Sequence, residues 1–200
     1  MKPEDAAAHV SAEVKRRDPA RFVAALFAPE AKRRVLLALY GLDAELRHVP
    51  EAAREPMIVA MRFQWWRDAV LRLPEPSRGH PVLDELSHAI GAGALDGSSL
   101  AALVDARERG TGERELVGAA ARVLGATAGH NPVADAVAAA MAAGGTAELA
   151  EARRVWKAER RARKAELPAY LPATYIDAPH PVTQARLYGR ALRMAIFNRF

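Results

Sequence analysis

The 200-residue chain contains no cysteine. This absence excludes a disulfide framework, thiol catalysis and cysteine-ligated zinc or iron–sulfur sites, and it fits a reducing compartment. No stretch is long and apolar enough to cross a bilayer. The opening residues, MKPEDAAAHVSAEVKRRDP, also lack the apolar core of a secretion signal. From these features we expect a cytoplasmic protein.

Aromatic residues are scarce, at 6% of the chain, and much of the 50% hydrophobic content is alanine. Alanine buries little area, but alanine and arginine in long periodic runs favour helices. The sequence shows no paired strand patterns, hairpin turns or βαβ alternation. We therefore predict an all-α fold of about eight to ten helices of typical length. The chain length fits a single domain covering residues 1–200.

Helix-start signals divide the chain into segments. Asp18 and Asn131 each precede a proline, which is the arrangement of an N-cap followed by a first helical residue. The loop PEPSRGHP at 74–81 and the prolines within 168–181 interrupt the helical pattern. The predicted helices begin near 19, 29 and 56 in the first part of the chain. Later ones are predicted at 82–90, 99–109, 113–124, 132–143 and 146–166, with a last amphipathic helix at 182–198.

Two of the three tryptophans are adjacent, in the segment MRFQWWRDAV at 61–70. Because a helix turns about 100° per residue, Trp65 and Trp66 cannot point the same way. Two neighbouring apolar stripes run along this segment: Ile58, Met61, Trp65 and Ala69, and Val59, Phe63, Trp66 and Val70. Together the stripes predict a helix that is buried between several others.

Residues 14–73 contain four distinctive stretches: DPARFVAALFAP at 18–29, LYGLDAEL at 39–46, EPM at 55–57 and QWWRD at 64–68. Together these stretches resemble the squalene/phytoene synthase family. The resemblance is closer to the non-synthase branch, which includes an assembly factor of respiratory complex I. It implies a shortened, isoprenoid-synthase-like helical bundle that acts as a binding or complex I assembly factor near the inner membrane. It also implies a protein partner or a lipid or prenyl ligand.

The synthases of this family condense prenyl diphosphates with two aspartate-rich motifs that hold Mg²⁺, a cation that requires hard oxygen ligands. Aligning the helix that contains LY at 39–40 places Arg47, His48 and Glu51 in the first motif. Arginine thus stands where the first metal-binding aspartate is expected. At an effective dielectric of about 20, a unit positive charge about 4 Å away costs a cation roughly 4 kcal/mol per unit charge. Asp43, one helical turn earlier, is predicted to pair with Arg47 instead.

The second motif is also altered. Counting back from YLP at 170–172 places Glu159 and Arg163 at its acidic positions, so that motif has been either deleted or substituted. We therefore predict no catalytic residue, no metal and no cofactor. The first alternative is a prenyltransferase of this family, which would need Mg²⁺. If a lipid or prenyl cavity is retained, Tyr40, Trp65 and Trp66 are its candidate lining.

The formal net charge of +5 permits anionic partners without selecting one. Basic residues crowd the segment 153–164, so a small nucleic-acid-binding protein is the second alternative, although no accompanying motif makes nucleic acid a favoured partner. Arg186, Arg190 and Arg193 form a stripe on the last predicted helix. This stripe indicates either peripheral membrane contact or a helix that packs back onto the bundle. The six histidines show no HxxxH or HExxH spacing, which argues against zinc.

Overall fold

A computed structural model describes residues 3–53, 55–75, 79–127, 129–159, 164–176 and 184–197. These ranges form eleven α-helices and contain no strand, which confirms the predicted all-α class. None of these helices is both long enough and apolar enough to cross a bilayer. The helices are α1 Pro3–Arg17, α2 Pro19–Leu26, α3 Glu30–Ala52, α4 Pro56–Arg72, α5 Pro81–Gly91, α6 Gly97–Glu108, α7 Glu113–Leu124, α8 Pro132–Ala143, α9 Thr146–Glu159, α10 Leu167–Tyr170 and α11 Gln184–Phe197.

The longest helix, α3, is the centre of the bundle and contacts α1, α2, α4, α5, α6 and α7. Its leucines Leu36, Leu39 and Leu42 are fully buried. Gly41 allows α1 to approach closely, since a Cβ atom at this position would lie only 2.9 Å from Val10 Cγ1. The same helix carries Asp43 into the interior, where a charged group requires partners.

Local capping explains several helix boundaries. Asp18 Oδ1 accepts a hydrogen bond from the N–H of Arg21 at 3.0 Å, and Asn131 Oδ1 accepts one from the N–H of Ala134 at 3.0 Å. The predicted N-caps of α2 and α8 are therefore present. Helix α7 has the bounds that the sequence predicts, and it ends at Gly125, whose φ of 115° lies in the left-handed region that favours glycine.

The C-terminal part differs in detail from its prediction. The charged run predicted to be helical to 166 forms α9 and a short 3-10 turn at Lys164–Glu166, while residues 160–163 lie outside the described ranges. A second 3-10 turn, Leu171–Tyr175, follows α10. Helix α11 contacts α2 and this second turn, and Leu187, Ala191 and Met194 are buried. The last predicted helix therefore packs back onto the bundle.

The sequence predicts that both apolar stripes of α4 are buried, and this prediction is correct for one stripe and wrong for the other. Phe63, Trp66 and Val70 are buried, and α4 packs against α6 and α3. The neighbouring stripe, which contains Met61 and Trp65, is exposed instead. Periodicity identifies an apolar stripe on a helix, but it does not show whether another helix covers that stripe.

Candidate functional site

The first-motif positions separate into two environments. Arg47 on α3 faces the bundle, where its Nη2 donates a hydrogen bond to Asp18 Oδ2 at 2.8 Å. Its Nε lies 3.0 Å from Asp43 Oδ2, so the intrahelical ion pair expected from the spacing is present. His48 and Glu51 lie on the exposed side of the same helix, with His48 Nδ1 3.0 Å from Glu51 Oε2. Of the three positions, only Arg47 is brought into the interior.

Asp43 is the most enclosed charged group of the site, with none of its surface exposed. Its Oδ1 accepts a hydrogen bond from Arg107 Nε at 2.6 Å. Its Oδ2 lies 3.0 Å from Arg47 Nε and 3.6 Å from Arg21 Nη1. Three guanidinium groups from α2, α3 and α6 therefore surround this carboxylate, which explains how a charge is tolerated at the centre of the bundle.

Arg107 is held on its other side by the turn that joins α6 to α7. Its Nη1 donates to the carbonyl oxygen of Thr111 at 2.8 Å, and its Nη2 donates to Glu113 Oε1 at 2.8 Å. Gly112 has a φ of 117°, and a Cβ atom there would lie 2.9 Å from the Cδ of Arg107. Glycine is required because the backbone is left-handed and passes close to this side chain.

Arg21 completes the set from α2. It is 5% exposed, and it donates from Nη1 to Asp18 Oδ2 and from Nη2 to Glu113 Oε2, both at 2.6 Å. The resulting group has three arginines and three carboxylates, so its formal charge is zero. We call it the ionic network; its members are Asp18, Arg21, Asp43, Arg47, Arg107 and Glu113.

Asp18 and Arg21 stay ionised because neighbours of opposite charge outweigh the cost of their burial. Burial raises the pKa of the Asp18 carboxyl, but the charges of Arg21 and Arg47 outweigh burial, and the pKa lies below its usual 3.8. Burial lowers the pKa of Arg21, but Asp18 and its other carboxylate neighbours raise it further, to above its usual value. Tyr40 lies beneath this group, and burial raises the pKa of its hydroxyl, which therefore stays neutral.

The residues of the site do not fit Mg²⁺. This ion binds oxygen ligands in near-octahedral geometry, and each candidate carboxylate, Asp18, Asp43 and Glu113, is already paired with arginine. A dication placed among three guanidinium groups would also be repelled by each of them. Within the described ranges, no cluster of three or more histidine, aspartate or glutamate side chains is arranged to hold a metal ion.

Comparison with known proteins assigns the chain to a family. A model of the squalene/phytoene synthase family matches residues 14–117. The chain belongs to the squalene/phytoene synthase family. This membership confirms the predicted isoprenoid-synthase-like bundle. All six residues of the ionic network lie inside the matched range, at 18, 21, 43, 47, 107 and 113.

A relative from Drosophila melanogaster is named NADH dehydrogenase (ubiquinone) complex I, assembly factor 6 homolog. It is 34% identical to this chain over 110 residues, which are 52% of this chain and 33% of that protein. The chain thus covers about a third of the length of this relative. No solved structure matches the chain.

The structure describes only one of the two second-motif positions. Glu159 is the last residue of α9, and Arg163 lies outside the described residues. Further along the chain, Glu166 and Tyr170 contact Asn131, whose Nδ2 donates to Glu166 Oε2 at 2.9 Å and to the Tyr170 hydroxyl at 3.1 Å. The Tyr170 hydroxyl in turn donates to Glu166 Oε2. We call Asn131, Glu166 and Tyr170 the Asn131 cluster; its carboxyl and phenol groups are buried.

The candidate cavity residues are only partly brought together. Trp65 and Trp66 pack edge to face, with ring centroids 4.9 Å apart, and line a cavity of 130 Å³ together with Glu45, His48, Val49 and Arg62. Ligand sites usually have volumes of about 300–1,000 Å³, so this cavity is too small for a prenyl chain. Tyr40 is not part of it, because its ring lies in the core beneath the ionic network.

Sequence reasoning missed half of the ionic network. Asp18 was recognised only as a cap, and Arg21, Arg107 and Glu113 were not recognised at all. One signal was available for Arg21, which lies three residues after Asp18 in a short helix that is otherwise apolar. No such local signal exists for Arg107, whose partner Asp43 is 64 residues away in the chain.

Proposed function

We propose that this chain is a non-catalytic member of the squalene/phytoene synthase family that acts as an assembly factor for respiratory complex I. The observation that carries the proposal is the ionic network. In it Arg47 stands at the first position of the first metal-binding motif, and Arg47 and Arg107 are both paired with the buried Asp43. The name of the Drosophila relative supports the assembly role.

The positive charge of the arginines explains why this site does not catalyse prenyl transfer. The diphosphate group leaves the prenyl chain as a polyanion, and in this family Mg²⁺ neutralises it. Here arginine stands at the first metal-binding position, and the buried carboxylate nearest to it, Asp43, is paired with arginine. The arginines do not replace the metal either, because Arg21 and Arg107 each bind two carboxylates and have little capacity left for a diphosphate.

The enzymatic alternative is tested by incubating the purified protein with farnesyl or geranylgeranyl diphosphate and Mg²⁺. We expect no diphosphate release above a protein-free blank, while an active synthase assayed in parallel releases it. Turnover that is lost in Asp43→Asn would refute the proposal.

The assembly role is tested by deleting the gene in the source organism and measuring assembled complex I on native gels and NADH-driven respiration. We expect both to fall and the wild-type gene to restore them. The double variant His48→Ala/Glu51→Ala should restore them equally, because these first-motif positions lie on the exposed side of α3. Unchanged complex I levels after deletion would contradict the assembly role.

We also propose that α11 makes peripheral contact with an anionic membrane surface, which would place the protein on the cytoplasmic side of the inner membrane. Arg186, Arg193, Tyr188 and Leu192 are exposed on this helix, whereas its opposite face is buried against the bundle. Exposed arginine beside aromatic and aliphatic side chains is typical of helices that lie in a lipid interface.

Co-sedimentation with vesicles tests this contact. We expect binding to vesicles that contain anionic lipid and little binding to zwitterionic ones. Arg186→Glu/Arg193→Glu should abolish it. The control Arg114→Glu/Arg154→Glu makes the same charge change at two exposed sites on other helices and should retain binding. Equal loss in both double variants would mean that net charge alone attracts the protein, and the α11 assignment would be wrong.

A further inference from the structure

Helix α4 exposes an apolar surface on the side opposite its buried residues, and Trp65, at the edge of this surface, also lines the small cavity against α3. The members of this surface are Met57, Ile58, Met61 and Trp65, which are 75%, 39%, 66% and 48% exposed. We call them the α4 stripe. Single exposed apolar side chains are common, but four that adjoin on one helix face mark an interaction surface.

The helix cannot turn to bury this stripe. On its inner side Phe63 and Val70 are packed in the core. Arg67 also joins α4 to α6, donating from Nε to Asp105 at 2.6 Å and from Nη2 to Glu108 at 2.6 Å. Rotation would expose the core residues and break both ion pairs. The α4 stripe is therefore a fixed feature of the surface.

We propose that a second copy of this chain covers the α4 stripe, in an antiparallel α4–α4 contact whose two-fold axis passes beside Met61. Met57, Met61 and Trp65 follow one another at intervals of four residues, so they form a line along one face. Met61 is the midpoint of this line. In the antiparallel pair Met61 meets Met61 of the second copy, and Met57 meets Trp65 of the second copy, as a two-fold interface requires.

The charges around the stripe select this occupant and this direction. Glu55 is exposed at the N-terminal end of α4, and Arg72 is exposed at its C-terminal end. An antiparallel pair brings the acidic end of each α4 towards the basic end of the other, whereas a parallel pair would place like charges together. The exposed charges beside the stripe, on Glu55, Arg62, Asp68 and Arg72, sum to zero, so this surface has no net charge that would attract it to an anionic membrane.

The size of the stripe sets the strength of the contact. A stable interface buries about 800 Å² on each partner, and four partly exposed side chains supply about half of that area. We therefore expect a reversible dimer with a dissociation constant on the order of ten to a hundred micromolar.

The chain contains no cysteine, so any disulfide-linked dimer must form through a cysteine that is introduced. A single introduced cysteine therefore tests whether one chosen position meets its counterpart in the second copy. Facing Cα atoms of packed helices lie about 3.5–5.5 Å apart, which overlaps the range that a disulfide spans. Met61→Cys is therefore expected to form a disulfide-linked dimer rapidly under mild oxidation. Leu71→Cys is the control, because Leu71 is 55% exposed on the same helix but lies off the stripe. It should cross-link much more slowly.

Sedimentation of the full chain over a range of concentrations gives the second readout. We expect a monomer–dimer equilibrium that Met61→Glu weakens at least tenfold, because it places two carboxylates at the axis, while Leu71→Glu leaves it unchanged. Circular dichroism checks that both variants are folded. A monomer at every concentration, or equal cross-linking of the two cysteine variants, would overturn the proposal. Loss of vesicle binding in Met61→Glu, with a wild-type chain that is monomeric at every concentration, would overturn it and would assign the stripe to lipid.

Discussion

The ionic network and the Asn131 cluster both bury carboxyl groups, but they do so with different chemistry. The network combines charges of both signs from α2, α3, α6 and α7, inside the range matched by the family. The Asn131 cluster lies outside that range, and in it an amide and a phenol donate to one carboxyl group. The two clusters thus differ in the donors described for their carboxyl groups: arginine guanidinium groups in the ionic network, and an amide and a phenol at Glu166.

The largest loss of stability should appear when one charge is removed from the ionic network. Asp43→Ala removes the shared partner of Arg107, which is largely buried, and of Arg47, and breaking a buried pair destabilises a protein by about 3–5 kcal/mol. Urea unfolding monitored by circular dichroism measures the loss. Asp105→Ala is the matched control, because the Asp105–Arg67 pair is partly exposed and should contribute less than about 1 kcal/mol. Similar losses in the two variants would mean that the network contributes no more than a surface pair.

A smaller effect is expected in the Asn131 cluster. Tyr170→Phe removes the hydroxyl that donates to the buried Glu166, and a buried acceptor that loses a partner costs about 1–3 kcal/mol. The same unfolding measurement gives the value. A loss as large as that of Asp43→Ala would remove the distinction between the two clusters.

The smallest expected effect is a dependence of the free energy of unfolding on pH. The folded protein lowers the pKa of Asp18 below its usual 3.8, mainly because the charges of Arg21 and Arg47 outweigh its burial. A carboxyl whose pKa is lower in the folded state stabilises the fold above its ordinary pKa, and this contribution is lost as the pH falls through the folded value. We expect the free energy of unfolding to decrease below about pH 4.

Asp18→Asn isolates that dependence, since asparagine caps a helix as well as aspartate but does not titrate. The free energy of unfolding is measured near neutral pH and near pH 3. Its decrease at the lower pH should be smaller in the variant than in the wild type. An acid loss of the same size in both would show that other carboxyls account for it.

What the sequence predicts well is local. The caps Asp18 and Asn131, the bounds of α7 and the Asp43–Arg47 pair all depend on residues within one helical turn of each other. Helix α1 was not predicted although its signal was present: Ala6, Val10 and Val14 recur every four residues and are buried.

What the sequence does not predict depends on tertiary contacts. Arg21 and Glu113 are 92 residues apart, and only the packing of α2 against the start of α7 brings their side chains within 2.6 Å. The exposure of Met61, and of about half of Trp65, likewise depends on which parts of the described chain pack against α4. The spacing of residues along the chain shows neither which distant side chains meet nor which face of a helix stays uncovered.

The central claim is that arginine stands at position 47 of the first motif and that the nearby carboxylates Asp18 and Asp43 are paired with arginine, so that the site does not bind Mg²⁺. Calorimetric titration of the full chain with Mg²⁺ in the presence of inorganic diphosphate tests it most directly. The account predicts no saturable heat of binding to the protein. Saturable Mg²⁺ binding that disappears in Asp43→Asn would contradict it.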